Sequence, residues 1–242
     1  MEIKIERSKL MLKRKDQTFT ASYCIYKGQK KHTPLMLSAL NEKEKSHYDT
    51  LKYEKRKSDY LIGRYTAKIA VNELLRIDLK SIQIDNGIFN FPIVRGKQIR
   101  NVQVTLTHCE DISIAIAFPE DHPIGVDLEK IDRNKMKLVK EIVNEKELAL
   151  QEELNEFEMF TSLWTVKEAL SKILKTGFTC NLQVFEVEKF NKTMFFFESK
   201  FLNFMQYKGY TIKKDEYICS IVLPLRTQLK LNNFNQSLIR II

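Results

Sequence analysis

The sequence predicts an α+β fold in two halves, each setting long helices against a small, mainly antiparallel sheet. Three observations lead there. A helical span from Asn41 to Arg76 is followed by short strands from Ile82 to Phe118. A second helical stretch, Lys135 to Lys175, is followed by strands from Val184 to Leu223. Between them Pro119–Pro123 forms a polar, proline-bounded joint, which divides residues 1–121 from 122–242. Runs of helix followed by runs of strand read as α+β. The same coarse order in both halves points to a duplicated architecture.

Taken in order, Met1–Glu6 and Phe19–Lys27 alternate apolar and polar residues, as half-buried strands do. Asn41 is a fitting helix N-cap with Glu44 three residues on, the pattern of a capping box. Further along this span, Leu61, Ile62, Tyr65, Ile69, Leu74 and Leu75 recur at helical spacing among many lysines and arginines. Ile82–Ile84, Ile88–Phe91, Val102–His108 and Ile112–Phe118 read as strands, broken at Asp85-Asn86-Gly87, Arg95-Gly96 and Cys109-Glu110-Asp111. Ile124–Leu128 is another strand, and Lys135–Leu154 a charged helical span. Phe157–Lys175 is a helix closed by Thr176-Gly177, with the glycine at a suitable C′ position. Strands follow at Val184–Phe190, at Thr193–Ser199 after an Asn191-Lys192 turn, at Tyr210–Lys213 and at Tyr217–Leu223. The tail from Gln228 has no clear periodicity.

Composition excludes several classes. A chain of 242 residues can bury a core without disulfides, and 43% hydrophobic with 29% charged residues describes a globular protein rather than a disordered one. Cys24, Cys109, Cys180 and Cys219 have neither zinc-ligand nor disulfide-framework spacing and suit a reducing compartment. The first residues alternate in charge and lack the apolar run of a signal peptide, and no stretch is long enough to span a bilayer. A cytoplasmic protein without membrane partners is expected. The net charge of +9 favours an acidic or polyanionic partner.

The chemistry-bearing residues cluster between Pro123 and Lys175. Alternation along a strand sends Asp127 and Glu129 to one face and Val126 and Leu128 to the other. Four-residue spacing puts Glu168 and Lys172 on one helical stripe, opposite the apolar stripe of Leu163, Val166, Leu170, Ile173 and Leu174. Two carboxylates on one face of an apolar strand repel unless a cation sits between them. If strand and helix meet, they form a cradle for a divalent ion and a phosphate. Taken alone, the Glu168/Lys172 pair reads better as an ordinary stabiliser of an exposed helix than as a catalytic pair. His108, at a strand end, is either a hydrogen-bonded edge residue or a ligand group at the mouth of a sheet.

Ile124-Gly125-Val126-Asp127-Leu128-Glu129, followed about forty residues later by Trp164-Thr165-Val166-Lys167-Glu168-Ala169-Leu170-Ser171-Lys172, resembles the signature of the 4′-phosphopantetheinyl transferase superfamily. Its patterns are G-[IV]-D-[IVL]-E and W-[ST]-x-K-E-[AS]-x-x-K. Chain length and Leu106-Thr107-His108, similar to the family's [FL]-S-H, point to the larger, surfactin-synthetase-type branch. The resemblance runs from about Thr105 to Phe178 and implies two similar halves related by a pseudo-twofold axis, with the active site at their interface. Residues 1–121 would contact the nucleotide of coenzyme A, and residues 122–242 would carry the metal and catalytic groups.

The implied reaction transfers the phosphopantetheine arm of coenzyme A to a serine of an apo carrier protein and releases adenosine 3′,5′-bisphosphate. The resemblance assigns Mg²⁺ to Asp127, Glu129 and Glu168, catalysis to Glu168 and Lys172, and the 3′-phosphate to His108 with Thr107. Arg64, Lys68, Lys43 and Lys45 fall in the family's basic first-half segment and would neutralise nucleotide phosphates. Lys167 is assigned no chemistry. The family's G-K-P turn is replaced by Gly87-Ile88-Phe89-Asn90-Phe91-Pro92, without its lysine. The expected partner is an acidic acyl or peptidyl carrier protein, not nucleic acid, met by a monomer; Trp164 and Lys135–Lys146 are candidates for that surface. The competing reading is a basic, non-enzymatic nucleic-acid-binding protein, in which Asp127 and Glu129 would have no role.

Overall fold

The computed structural model describes residues 3–28, 34–135 and 142–242. They fall into two compact units: one runs to Asp121 and takes in Gln228–Ile241, and the other is His122–Thr227. Both are mixed helix and antiparallel sheet, the α+β class the sequence predicts. The tail separates from the half that precedes it in sequence for a physical reason. Strand β12 (Gln228–Leu229) pairs with β1 (Lys4–Lys13), and a C-terminal helix, Asn232–Ile241, seats Phe234 edge-on against Tyr23 at 5.1 Å. Glu6 and Tyr23 both bond the Ser237 hydroxyl of that helix.

The first unit is a five-stranded sheet in the order β12-β1-β2-β6-β5, where β2 is Thr18–Lys27, β5 Val102–Cys109 and β6 Ile112–Pro119. Against it lies the long helix of the Asn41–Arg76 span, which the structure divides. Helix α1 is Pro34–Ser38, α2 is Glu42–Thr50 and α3 is Glu54–Leu75. The break at Leu51–Tyr53 contains neither Gly nor Pro, and Tyr53 supplies no side-chain cap, so nothing in the pattern marks it. The Ile88–Phe91 stretch is not a strand either. It is the turn between β3 (Gln83–Asn86) and β4 (Pro92–Arg95), with Asn90 at φ 60° and Ile88 92% exposed.

The second unit is a five-stranded sheet in the order β7-β11-β10-β9-β8. Here β7 is Gly125–Lys130, β8 Val187–Lys192, β9 Phe197–Phe201, β10 Tyr207–Lys214 and β11 Tyr217–Pro224. Helix α4 is Glu145–Leu148 and α5 is Glu156–Leu174. Residues 136–141, part of the charged span expected to be helical, lie outside the described residues. Asn191-Lys192 continues β8; the turn comes two residues later, where the Thr193 N–H and hydroxyl both bond Phe196 O. Helix α5 ends on Lys175, itself left-handed at φ 57°, with Gly177 following at φ 53°.

One bonded cluster occurs in both units. In the first, the Asn41–Glu44 capping box buries the Glu44 carboxylate, which takes the Lys68 ammonium of α3 at 2.5 Å and the Ile84 N–H at 2.9 Å. Lys68 also donates to Ala39 O at 2.7 Å. In the second, the Asn144–Glu147 capping box buries Glu147, which takes the Lys167 ammonium of α5 at 2.8 Å and the Val187 N–H at 2.8 Å. Lys167 also donates to Ile142 O at 2.8 Å. In both, the strand N–H lies 40 residues beyond the carboxylate, and the carbonyl two residues before the cap. Burial holds both lysines below the ordinary value despite the touching carboxylate. Lys167→Met should therefore lower stability by about 3–5 kcal/mol in a denaturant titration, because it strands Glu147 uncompensated in the interior.

Helix α5 meets the sheet unusually closely. A Cβ on Gly125 would lie 1.8 Å from the Ala169 carbonyl oxygen, and one on Gly209 would lie 2.4 Å from Val166 Cγ2. The first obstacle is backbone, which cannot swing aside. Gly125→Ala should cost about 3 kcal/mol or more by overpacking, read as a lowered denaturation midpoint. An unchanged midpoint would mean that the strand and helix do not meet this way.

Candidate active site

The site grows from β7 and α5. Strand β7 sits at the edge of its sheet, next to β11, with Val126 and Leu128 fully buried on one face. Asp127 and Glu129 occupy the other, and Asp127 is itself buried. Helix α5 starts from Asn155, whose side chain accepts the Phe157 and Glu158 N–H groups in another capping box. It crosses the sheet so that Thr165, Glu168 and Lys172, one stripe of the helix, fall beside β7 and β11.

The Lys172 ammonium donates to Asp127 Oδ1 and to Val126 O, each at 2.8 Å. Glu168 is 8% exposed, and its Oε1 has no hydrogen-bond partner. Burial first, and then the neighbouring Asp127, push its carboxyl up to about 7, with Glu129 adding to the rise and Lys172 opposing it. A helical wheel puts Glu168 and Lys172 on the solvent side, opposite the apolar stripe. That expectation fails because α5 is covered on two faces: an apolar stripe packs one, and the polar row of β7 and β11 packs the other.

A hydroxyl chain continues that polar row. Thr211 Oγ1 lies 2.8 Å from Ser220 Oγ, which lies 2.7 Å from Thr165 Oγ1, and all three residues are fully buried. Thr165 donates to Ser162 O, so every hydroxyl hydrogen in the chain has a defined direction: Thr211 to Ser220, Ser220 to Thr165. Ser220 is also the cross-strand neighbour of Asp127. No sequence pattern singles out these residues; the one trace is a serine in the otherwise apolar run Ile218–Leu223.

Among the described residues no group of three His, Cys, Asp or Glu side chains is disposed to hold a metal ion, so Asp127, Glu129 and Glu168 do not form a closed metal shell by themselves. A magnesium ion seldom needs one, being held by one or two carboxylates plus substrate oxygens and water. The partnerless, buried Glu168 oxygen beside Asp127 is the kind of group such a cation would satisfy.

The residues expected at the nucleotide end lie in the first unit. Thr107 is buried near the end of β5 and His108 is exposed beside it, in a shallow depression shared with Asp59, Ile62, Glu110, Asp111 and Ile112. Arg64 is buried, stacked 4.7 Å over the Tyr60 ring, with Nη2 donating to Asn86 Oδ1 at 2.6 Å. Lys43 pairs with Asp85 at 3.2 Å, and Lys45 is exposed. Lys68 is a correction: its ammonium is sealed between Glu44 and Ala39 O, 0% exposed, and is closed to any phosphate arriving from solvent.

Residues 123–222 match the family model of the 4′-phosphopantetheinyl transferase superfamily, a stretch that contains Asp127, Glu129, Thr165, Glu168, Lys172, Thr211 and Ser220. No curated protein matches the chain.

The raised Glu168 carboxyl has a consequence for stability. The folded protein holds this proton up to about pH 7, whereas the unfolded chain releases it near 4.5. The stabilisation is complete below 4.5 and is lost as pH rises through 7. Without divalent cations, thermal melts should show a loss on the order of 3 kcal/mol across that window. Glu168→Gln should flatten that part of the profile, and a wild-type profile already flat there would refute the burial of this charge.

Proposed function

We propose that this chain is a phosphopantetheinyl transferase that carries the 4′-phosphopantetheine arm of coenzyme A to a serine hydroxyl of an apo carrier protein. The other product is adenosine 3′,5′-bisphosphate. The observation that carries the reading is the meeting of Glu168, Asp127 and Lys172 inside the segment that the superfamily model matches.

Each group has a task suited to its surroundings. Glu168, with a carboxyl near neutrality, is matched to taking the serine proton, directly or through one water, because a base works best when its pKa is near ambient pH. Lys172 is anchored on Asp127 and Val126 O and keeps a donor for the departing phosphate, where charge develops. Mg²⁺, held by Asp127, Glu129 and Glu168 together with the pyrophosphate of coenzyme A, would neutralise charge at the attacked phosphorus and the leaving oxygen. Thr107 and His108 would receive the 3′-phosphate, with Arg64, Lys43 and Lys45 as further counter-charges.

The net charge of +9 suits an acidic acyl or peptidyl carrier, whose approach it would speed. The enzyme would act as a cytoplasmic monomer of the surfactin-synthetase-type branch. Among the described residues no helix is long and apolar enough to cross a membrane.

Incubation with coenzyme A and Mg²⁺ should convert apo carriers to holo forms, seen in intact-protein mass spectra as the gain of one phosphopantetheine arm. Lys172→Ala and Asp127→Asn should each lower kcat/KM by about 100-fold or more. Full activity in Asp127→Asn would remove the proposed cation site, and no conversion of any carrier in a panel of acyl and peptidyl types would overturn the reaction.

A further inference from the structure

The two units allow a comparison that separates architecture from chemistry. Their shared clamp fixes a correspondence: Lys68 with Lys167, and so Ala70 with Ala169, each two residues on. The Ala70 carbonyl accepts the Ser22 hydroxyl of β2 at 2.6 Å, whereas Gly125 of β7 abuts the Ala169 carbonyl. Ser22 thus stands where Gly125 stands, and two residues on Cys24 stands where Asp127 does.

Cross-strand register extends the comparison. Asp127 faces Ser220, which faces Thr211. In the first unit Cys24 faces Ala115, which faces Leu106. Thr66 stands where Thr165 does, one residue past Tyr65 as Thr165 is past Trp164, but its hydroxyl turns back to Ile62 O at 2.8 Å within its own helix. Ile69 replaces Glu168. The first unit therefore builds the corresponding contact with Cys24, Ala115, Leu106 and Ile69 where the second has Asp127, Ser220, Thr211 and Glu168, and with Glu73 where the second has Lys172.

The first unit seats its helix without such a hydroxyl chain, through the bond from the Ser22 hydroxyl to Ala70 O and apolar side chains around it. Burying three hydroxyls between helix and sheet gains little over apolar packing. What they add is direction, since a chain of three directed hydrogen bonds has one geometry where apolar contact tolerates many. It joins β10, β11 and α5 one turn from Glu168, at the strand position beside Asp127.

We propose that Thr211, Ser220 and Thr165 are positioning residues, a hydroxyl chain that sets the rotation of α5 on the sheet so that Glu168 and Lys172 face Asp127. The kinetic half of this proposal rests on the transferase reading, and the structural half does not. In an apo-carrier assay, Ser220→Ala and Thr165→Val should each lower kcat about 10-fold or more, while KM for coenzyme A stays within about twofold. Thr165→Ser, which keeps the hydroxyl, should restore most of the loss. A Thr165→Ser variant as impaired as Thr165→Val would overturn the role, since methyl packing would then be what matters.

Stability supplies the second test. If the chain aims Lys172 at Asp127, then the Tm losses of Ser220→Ala and Lys172→Met should overlap, the double variant falling short of additivity by about 2 °C or more. Strict additivity would sink the positioning role even in an active enzyme. Failure of the wild type to modify any carrier would sink the transferase reading while leaving the double-variant result to decide the hydroxyl chain.

Discussion

The second unit depends on how closely one helix can approach one edge strand. Gly125 leaves the Ala169 carbonyl room against β7 that any side chain would take away. That approach carries Glu168 out of water and up against Asp127, and brings the Lys172 ammonium within bonding distance of the strand's main chain. Dispersion and apolar burial supply the adhesion, through Val166, Leu170, Phe185, Val222 and their neighbours. The glycine supplies the distance. Without it the same residues would face one another across water, where their charges would interact weakly.

Much of the site was legible in the sequence because its spacing obeys the two simplest rules of local structure. Strand alternation pairs Asp127 with Glu129, and a helical turn pairs Glu168 with Lys172. What failed were inferences that needed a partner distant in sequence. Lys68 falls in a basic segment and reads as a counter-charge for phosphate, and its commitment to Glu44, across the break between α2 and α3, has no local sign. A helical wheel identifies an apolar stripe but cannot foresee that the opposite stripe will be buried against a polar row, so Glu168 looked exposed.

The fold shows the same division. Most strands of the two sheets can be read by alternation to within a few residues, but β1 extends seven residues past the Met1–Glu6 stretch that alternates, to Lys13, and Ile88–Phe91 is no strand: its apolar side chains imitate one while Asn90 turns the chain at positive φ. The tail was opaque because α6 (Asn232–Ile241) finds its apolar surface on β1 and β2, far back in the sequence. Periodicity reports what a segment offers, and only the assembled unit decides what accepts it.

The paired clamps at Glu44 and Glu147 also bear on how the molecule comes apart. Each carboxylate ties three things at once: the start of a short helix, the middle of a long one, and a main-chain donor near the start of a strand 40 residues downstream. Such a knot suppresses fraying, because releasing any one strand of it leaves a charge in the interior and so raises the cost of partial opening toward that of complete opening. Amide exchange in α3 and α5 would then report the melting of an entire unit rather than the breathing of its ends.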